Sequence, residues 1–260
     1  MTETATDRPS VSSGSDSAES GATPAIQFRS DMTVELVRSS AQDADVLFAA
    51  RVSTIGEQSL ADVDADAGGS AGLIKYLMRE RHGSPFEHNS MTFYVQAPIF
   101  VFREFMRHRI ASYNEESGRY RELRPVFYVP AAERKLVQEG KPGHYVFVDG
   151  TQEQYATVVE ETKQACTVAY QAYQRMLGAG VAREVARGVL PVSIYSSMYV
   201  TMNARSLMNF LSLRTKREGS AHPSYPQREI EMVAEQMERL WAPLMPVTHA
   251  AFEASGRVSP

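Results

Sequence analysis

The sequence contains little cysteine, little lysine and no long apolar run. Its single cysteine, Cys166, excludes a disulfide within the chain and a metal site built from several thiolates. No segment reaches the roughly 18 to 20 consecutive apolar residues that a membrane-spanning helix needs. The N-terminus also lacks the basic region followed by an apolar one that marks a secretory signal. These absences predict a cytoplasmic protein.

The charge balance limits the classes of partner. A net charge of −4 disfavours a general attraction to nucleic acid or to anionic membranes. Arginine supplies 22 of the 27 basic residues, which favours forked recognition of phosphate or carboxylate groups. The 260 residues, 43% of them hydrophobic, suffice for a sizeable core and are typical of a soluble globular enzyme.

Hydrophobic periodicity predicts the domain organisation and the first strands. Residues 1–25 are predicted to form a disordered tail, because they contain almost no large apolar side chains. Residues 26–260 are predicted to form a single catalytic domain. "TVELVRSS" is predicted to be a strand, and so is "SMTFYVQA", in which Met91, Phe93 and Val95 alternate with polar side chains.

Helices are predicted mainly in the later part of the chain. The earlier ones are "AQDADVLFAARVS", "GLIKYLMRERH" and "IFVFREFMRHR", the last opened by Pro98. Residues 151–213 are predicted to be mostly helical, in the blocks "EQYATVVEETKQACTVAYQAYQRMLGAG", "AREVARGVL" and "NARSLMNFLSLR", and "QREIEMVAEQMERLW" is predicted as the final helix. The segments "DVDADAGGSAG" and 128–150 are predicted to be loops. Early strands and late helices predict an α+β fold.

The stretch "RHRIASYNEESGRYREL", residues 107–123, concentrates four arginines, a histidine and three glutamates. If the preceding helix ends here, Arg107, His108 and Arg109 suit its dipole and can meet an anion held by the following loop. The hydroxyls and the amide of the loop add neutral donors and acceptors, and Glu115 and Glu116 can accept from ring N–H groups. A site for a phosphorylated heterocycle needs this mixture.

Three interpretations of this stretch predict different properties. Charged runs usually form solvated surface. In a non-catalytic helical assembly protein, the arginines would instead form salt bridges between subunits, and the protein would be colourless. A nucleic-acid-binding module would use the arginines on phosphates, although the acidic balance counts against it. The third interpretation is an enzyme that binds a nucleotide and a flavin.

The residues of this stretch resemble the signature of the flavin-dependent thymidylate synthases, R-H-R-x-x-S-x-N-E-x-S-x-R-Y. Its fixed positions are filled by Arg107, His108, Arg109, Ser112, Asn114, Glu115, Ser117, Arg119 and Tyr120. "RHGSPFEH", "AREVARGVLP" and "NARSLMNFLSLR" resemble other segments of that family. The resemblance implies a central mixed or antiparallel sheet with helices and a helical C-terminal half. It also implies a homotetramer with shared active sites that converts dUMP to dTMP, with methylenetetrahydrofolate as carbon donor and NADPH as reductant through FAD.

The resemblance implies a role for each matched residue, and it implies no metal. The FAD-binding positions are His82, Ser84, Arg107, His108, Arg109, Glu115, Asn203, Arg205 and Asn209. The nucleotide-binding positions are Glu104, Arg107, Glu115, Glu116, Ser117, Gly118, Arg119, Arg187 and Arg214. Arg214 is the predicted catalytic residue, because a guanidinium can stabilise negative charge developing on the uracil ring although it cannot act as a base at neutral pH. The separated segments are therefore predicted to converge on one cavity.

Four other features of the sequence bear on these roles. Ser117 is interpreted as a hydrogen-bond donor to the phosphate rather than a nucleophile, because no histidine of the loop is placed to deprotonate it. Cys166 is predicted to be a core thiol, so the chain lacks the nucleophilic cysteine of the unrelated folate-only thymidylate synthases. The chain departs from the family pattern at Arg121, where Ser is common, and at Glu104, where a neutral amide occurs. Glu104 is interpreted only as a uracil contact.

Overall fold

The computed structural model describes residues 25–56, 68–141 and 144–260. The predicted disordered tail lies outside the described residues, apart from its last position, and a single domain over 26–260 stays a prediction. Within the described ranges, no helix combines the length and the apolar character that crossing a membrane requires.

Four of the described strands form one antiparallel sheet. The strands are β1 (Gln27–Arg29), β2 (Thr33–Ser39), β3 (Met91–Pro98), β4 (Ser112–Glu115), β5 (Val126–Tyr128), β6 (Val137–Lys141), β7 (His144–Val148) and β8 (Tyr195–Met202). The sheet has the order β2-β3-β8-β4, so β8 lies between β3 and β4. Outside it, β1 pairs with β5 in parallel and β6 with β7 antiparallel. This confirms the predicted α+β fold with a central antiparallel sheet.

The described residues also form eight α-helices. They are α1 (Asp43–Ile55), α2 (Gly68–Arg79), α3 (Ile99–Phe105), α4 (Gln152–Gly178), α5 (Arg183–Ala186), α6 (Ala204–Arg214), α7 (Arg228–Trp241) and α8 (Pro246–Ala254). Short 3-10 helices occupy Ser84–Glu87 and Arg187–Val189. On α7, Ile230, Val233 and Met237 are fully buried, as their helical spacing predicts. The predicted alternation of β3 is also confirmed, because Met91, Phe93 and Val95 are fully buried while the residues between them are partly exposed.

Two hydrophobic clusters stabilise the elements that carry the matched motifs. The larger one joins the buried face of the sheet to α6, α7 and α8 and includes Phe210 and Trp241. The smaller one packs α4 against the segment after the arginine stretch. There the backbone of Leu123 donates to the Tyr173 hydroxyl (3.3 Å) and accepts from the Tyr170 hydroxyl (3.3 Å). Cys166 lies in this cluster, is 2% exposed and contacts the Ser193 hydroxyl, which confirms the predicted core thiol.

The structure corrects the sequence prediction at the sheet. The three helical blocks predicted within residues 151–213 are present as α4, as α5 with the 3-10 turn after it, and as α6, but the segment before α6 is β8, a central strand of the sheet. The loop predicted after the arginines contains β4, a polar strand that pairs with β8 from Ser112↔Thr201 to Glu115↔Met198. Polar residues form a strand here because the neighbouring strand supplies the hydrogen bonds.

Several element boundaries also differ from the prediction. Helix α3 ends at Phe105, so Arg107–Arg109 lie beyond its last turn, and the segment predicted as a linking loop contains β6 and β7. Helix α2 begins at Gly68, within the predicted acid- and glycine-rich loop, of which residues 62–67 lie outside the described residues. Helix α5 ends at Ala186, and Arg187 follows in a 3-10 turn rather than one turn along the same helix. Helix α7 is not the last, because Pro246 starts α8.

Candidate functional site

Arg214, the predicted catalytic residue, lies at the end of α6 and is held by Glu104 of α3 and by His108, which follows that helix. Its Nε donates to His108 Nε2 at 3.0 Å, and its Nη1 donates to Glu104 Oε2 at 2.5 Å. The guanidinium is directed by both contacts at once, and its side chain is only 18% exposed. We refer to Glu104, His108 and Arg214 as the Arg214 cluster. Residues more than a hundred positions apart thus meet because α3 and α6 pack on the same core.

His108 is the uncharged member of the Arg214 cluster. Its ring is buried and meets the ring of Phe210 edge to face, with centroids 4.9 Å apart. Burial, and secondarily the charge of Arg214, lowers the pKa of His108 to about 4. The imidazole is therefore neutral at pH 7. Because its Nε2 accepts from Arg214, its proton is on Nδ1.

Tyr113 of β4 connects that strand to the end of α3 and to the segment that follows it. Its hydroxyl lies 2.9 Å from the carbonyl oxygen of Phe105 and 2.6 Å from that of His108, so it can donate to either. Burial raises the pKa of Tyr113 to about 12, so the phenol keeps the proton that it donates. This contact fixes the backbone that carries Arg107 and Arg109, whose side chains are exposed. Neither guanidinium has a hydrogen-bonding partner among the described residues.

A second group, the acidic cluster (Glu115, Glu116, Ser196 and Ser197), joins the end of β4 to β8. Glu116 accepts from the Ser197 hydroxyl at 3.1 Å and lies 3.0 Å from the Arg121 guanidinium. Burial raises the pKa of Glu115 and the neighbouring Glu116 raises it further, while Ser196 and Arg187 oppose the shift. This pair of adjacent carboxylates is therefore only partly neutralised within the chain.

Two buried oxygens of the acidic cluster lack a well-aligned hydrogen bond within the described chain. They are Glu116 Oε1 and Ser196 Oγ. Arg121 approaches Glu116 Oε1 closely, but its N–H is not aligned with that oxygen, so the contact is an ion pair by distance only. Ser196, which is 3% exposed, similarly lies beside Glu115 without a satisfactory angle. Buried polar atoms in this state are suited to a ligand that supplies the missing partners.

The predicted phosphate-binding residues lie next to the acidic cluster. Gly118 packs so closely on Arg187 that a Cβ there would lie 3.2 Å from the Arg187 Cδ. The Ser117 hydroxyl accepts from the Arg119 backbone N–H at 3.3 Å. Arg119 pairs with Glu184 at 2.6 Å, but both side chains are more than half exposed, so the pair is weak and can be exchanged for another anion.

A third group surrounds Arg205 in the first turn of α6. The Arg205 guanidinium bonds to Glu87 and covers Gly83, and both of these residues belong to the segment "RHGSPFEH". A Cβ at Gly83 would lie 2.4 Å from the Arg205 Cζ, so only glycine accepts the guanidinium in this position. We call Gly83, Glu87 and Arg205 the Arg205 cluster. His82, beside it, stacks on Tyr76 with ring centroids 5.9 Å apart.

The remaining predicted residues differ in how much they are already engaged. Asn203 caps α6, and its Oδ1 accepts from the Ser206 N–H at 2.9 Å, so its amide N–H₂ is the part left for a ligand. Asn209 and Ser84 are exposed. The described residues of one chain thus assemble three groups, and no hydrogen bond links one group to another. Two surface hollows of the described chain are lined by other residues, such as Lys75 and His222 in one and Arg217 and His249 in the other.

Sequence reasoning missed several residues that the structure adds to these groups. Ser196 and Ser197 belong to the unpredicted strand β8, and their signal was the alternation of Met198, Val200 and Met202 along the same strand. Glu87 belongs to "RHGSPFEH", a segment that resembles the family, but no role was predicted for it. Phe210 belongs to the predicted helix "NARSLMNFLSLR", but only its contact with His108 shows that it shapes the Arg214 cluster.

Comparisons with known proteins agree with the motif. The family model described as thymidylate synthase complementing protein matches residues 35–247. The flavin-dependent thymidylate synthase of Streptomyces coelicolor is 68% identical over 91% of this chain and 97% of that protein. The enzyme of the same description from Tropheryma whipplei is 63% identical over 90% of this chain and 97% of that protein.

A solved structure shows the same fold. It is described as the UMP/dUMP methylase PolB from Streptomyces cacaoi bound with 5-Br UMP. It is 61% identical, covers 91% of this chain and 100% of that chain, and superposes with a TM-score of 0.85. A second structure of that methylase, with 5-Br dUMP bound, is 62% identical and has the same TM-score.

Proposed function

The chain belongs to the flavin-dependent thymidylate synthase family, and on that premise we propose that it methylates dUMP to dTMP. Methylenetetrahydrofolate is the proposed carbon donor, NADPH the reductant and FAD the cofactor. The observation that carries the proposal is the Arg214 guanidinium, aimed by a neutral histidine and a carboxylate at the end of α6. A directed, permanently charged donor suits a reaction in which a ring becomes negatively charged.

Arg214 stabilises the negative charge that develops on the uracil ring when its N–H ionises. The guanidinium keeps its own protons at neutral pH, so it acts by electrostatic stabilisation and not as a base. His108 contributes an uncharged acceptor, which fixes the direction of Arg214 without competing for the anion. Glu104 holds the other side of the guanidinium and is the proposed contact to the pyrimidine.

The nucleotide phosphate is assigned to the loop after β4. Ser117 and Gly118 offer a hydroxyl and a backbone N–H, and Arg187 lies directly against Gly118. Arg119 exchanges its exposed partner Glu184 for the phosphate at little cost, because a surface pair contributes only about 0 to 1 kcal/mol. Glu115 and Glu116 then face the sugar and base, whose hydroxyl and N–H groups supply the donors that the acidic cluster lacks.

The residues present fit a flavin dinucleotide. Its diphosphate needs cationic forks, and Arg107, Arg109 and Arg205 supply them. Its ring needs amide and hydroxyl partners, and Ser84, Asn203 and Asn209 supply these. His82 stands beside this surface, whereas the buried His108 is engaged with Arg214 and acts mainly by positioning it. Bound FAD would supply the hydride that completes the methyl group.

An assembly from several subunits is part of this proposal. The Arg214 cluster, the acidic cluster and the Arg205 cluster are separate on one chain, so one complete site is proposed to combine groups from more than one subunit. We propose a homotetramer with shared active sites, located in the cytoplasm. Its test is whether two variants that inactivate different clusters restore activity when their subunits are mixed.

An absorbance spectrum and a product assay test the function. Purified protein should absorb in the visible with the bands of bound flavin, and NADPH should bleach them. Supplied with dUMP, methylenetetrahydrofolate and NADPH, it should form dTMP, and omission of any one of the three should abolish the product. Folded protein that takes up no FAD under any condition would refute the proposal. The Arg214→Ala protein serves as the control for contaminating activity.

A further inference from the structure

The segment of residues 256–260, which we call the clasp segment, contacts both ends of helix α6. At the C-terminal end of the helix, Arg257 Nη2 donates to Thr215 Oγ1 at 2.9 Å. At the N-terminal end, the Ser259 hydroxyl donates to the Arg205 carbonyl oxygen at 3.0 Å, and Arg205 Nε donates to the Pro260 carbonyl oxygen at 2.7 Å. The clasp segment thus contacts Arg205 directly. It contacts Arg214 only through Thr215, the next residue along the chain.

Arg257 is held in a single orientation. It is 4% exposed and has a left-handed backbone, with φ of 58°, which a residue with a Cβ rarely adopts. Its Nη1 bonds to the carboxylates of Glu238, at 2.7 Å, and of Glu253. Those two carboxylates and His249 present donor atoms within 4.8 Å of one another, but both carboxylates already pair with the Arg257 guanidinium. Both terminal nitrogens of this buried guanidinium are bonded, so it is a rigid support for the hydroxyl that Nη2 binds.

Thr215 transmits this support to Arg214. Its hydroxyl donates to the Leu211 carbonyl oxygen at 2.7 Å while it accepts from Arg257, so it links the clasp segment to the last turn of α6. Its backbone N–H also bonds to Leu211, and the residue is 2% exposed. The backbone that carries Arg214 is therefore fixed at the residue that directly follows it.

We propose that the clasp segment is a positioning device that sets the two arginines of α6, Arg214 on the nucleotide side and Arg205 on the flavin side. This inference rests on the proposed function. Thr215 and Arg257 are positioning residues for Arg214, and Ser259 is a positioning residue for Arg205. The two contacts lie at opposite ends of one helix, so losing either one should produce a different defect.

Thr215→Val tests the Arg214 end without unbalancing the buried charges, which Arg257→Gln would do. Valine keeps the shape and suits the extended backbone of Thr215, but it removes the hydroxyl that Arg257 binds. We expect kcat for dTMP formation to fall about 10- to 100-fold, with the KM for dUMP and the flavin spectrum unchanged. Thr215→Ser should restore most of kcat. The matched control is Thr167→Val, which also removes a hydroxyl bonded to a carbonyl four residues earlier.

Ser259→Ala tests the other end by a readout that does not depend on turnover. The Kd for FAD, measured by adding flavin to the flavin-free protein, should rise about fivefold, while kcat at saturating FAD stays close to that of the wild type. Wild-type turnover of Thr215→Val, equal losses in Thr215→Val and Thr167→Val, or an unchanged Kd in Ser259→Ala would overturn the inference while the proposed function stands. A flavin-loaded wild type that makes no dTMP would instead refute the function, and this inference with it.

Discussion

Replacing Arg214 with alanine should separate catalysis from flavin binding. The substitution removes a charged donor that two residues aim from either side, at 2.5 and 3.0 Å. Removing one such donor from a site where negative charge develops typically costs about 10²- to 10³-fold in kcat, or about 3 to 4 kcal/mol. We therefore expect dTMP formation to fall by at least two orders of magnitude.

The cost to folding should be much smaller. Glu104 loses its ion-pair partner, but its side chain is 36% exposed and solvent can take over the lost interaction. The loss of the charged contacts should cost about 1 kcal/mol, which lowers Tm by about 2 to 4 °C in a protein of this size. The pKa of His108 should rise in the variant, but burial, which is the larger cause of its shift, should keep it below 6.5.

The assay compares Arg214→Ala with Arg175→Ala, an exposed arginine on α4. Turnover is followed by dTMP production from dUMP, and flavin content by the visible spectrum of the same sample. The alanine variant at Arg175 should match the wild type in both. Undiminished dTMP formation by Arg214→Ala would show that this guanidinium does not stabilise the reacting ring. Loss of flavin from the variant would show that Arg214 binds the cofactor instead.

Two further predictions concern the Arg205 cluster and the clasp segment. Gly83→Ala should leave Tm nearly unchanged but weaken FAD binding about tenfold, because its Cβ must displace the flexible guanidinium of Arg205; unaltered affinity would contradict this. Burial alone would raise the pKa of Glu238, but bonds from His249 and Arg257 lower it to about 2. A lowered carboxyl pKa stabilises the fold fully above the unfolded pKa, and this stabilisation is lost as the pH falls to the folded pKa, so stability should fall between about pH 5 and pH 2. Glu238→Gln should flatten this decline, and equal slopes would refute it.

The elements that the sequence predicted correctly have a periodicity set by one dominant core. Helix α7 and strand β3 each bury one face against the larger hydrophobic cluster, so their apolar spacing is visible in the chain itself. Strand β8 also alternates, at Met198, Val200 and Met202, but it lies between two helical segments, and Ser196, a polar residue on the same buried face, weakens the pattern. Strand β4 carries no such signal, because its polar residues are ordered only by pairing with β8.

The candidate site was predictable as a set of residues and not as an arrangement. A long motif with few variable positions identified Arg107 to Tyr120 by type and spacing. Which groups pair could not follow from it, since Arg214 meets His108 across 106 positions of the chain. The neutral state of His108 likewise depends on burial beside Phe210, which only the packing of α6 on α3 determines.

The central place of β8 makes the length of that strand less tolerant of change than its composition. Its residues pair with β3 on one side and with β4 on the other, and only Asn203 separates its end from α6. Deleting one residue would exchange the two faces of the strand and rotate the helix that follows, since side chains alternate with a period of two. Variation among functional sequences should therefore take the form of substitutions within β8, with insertions and deletions confined to segments such as 129–150.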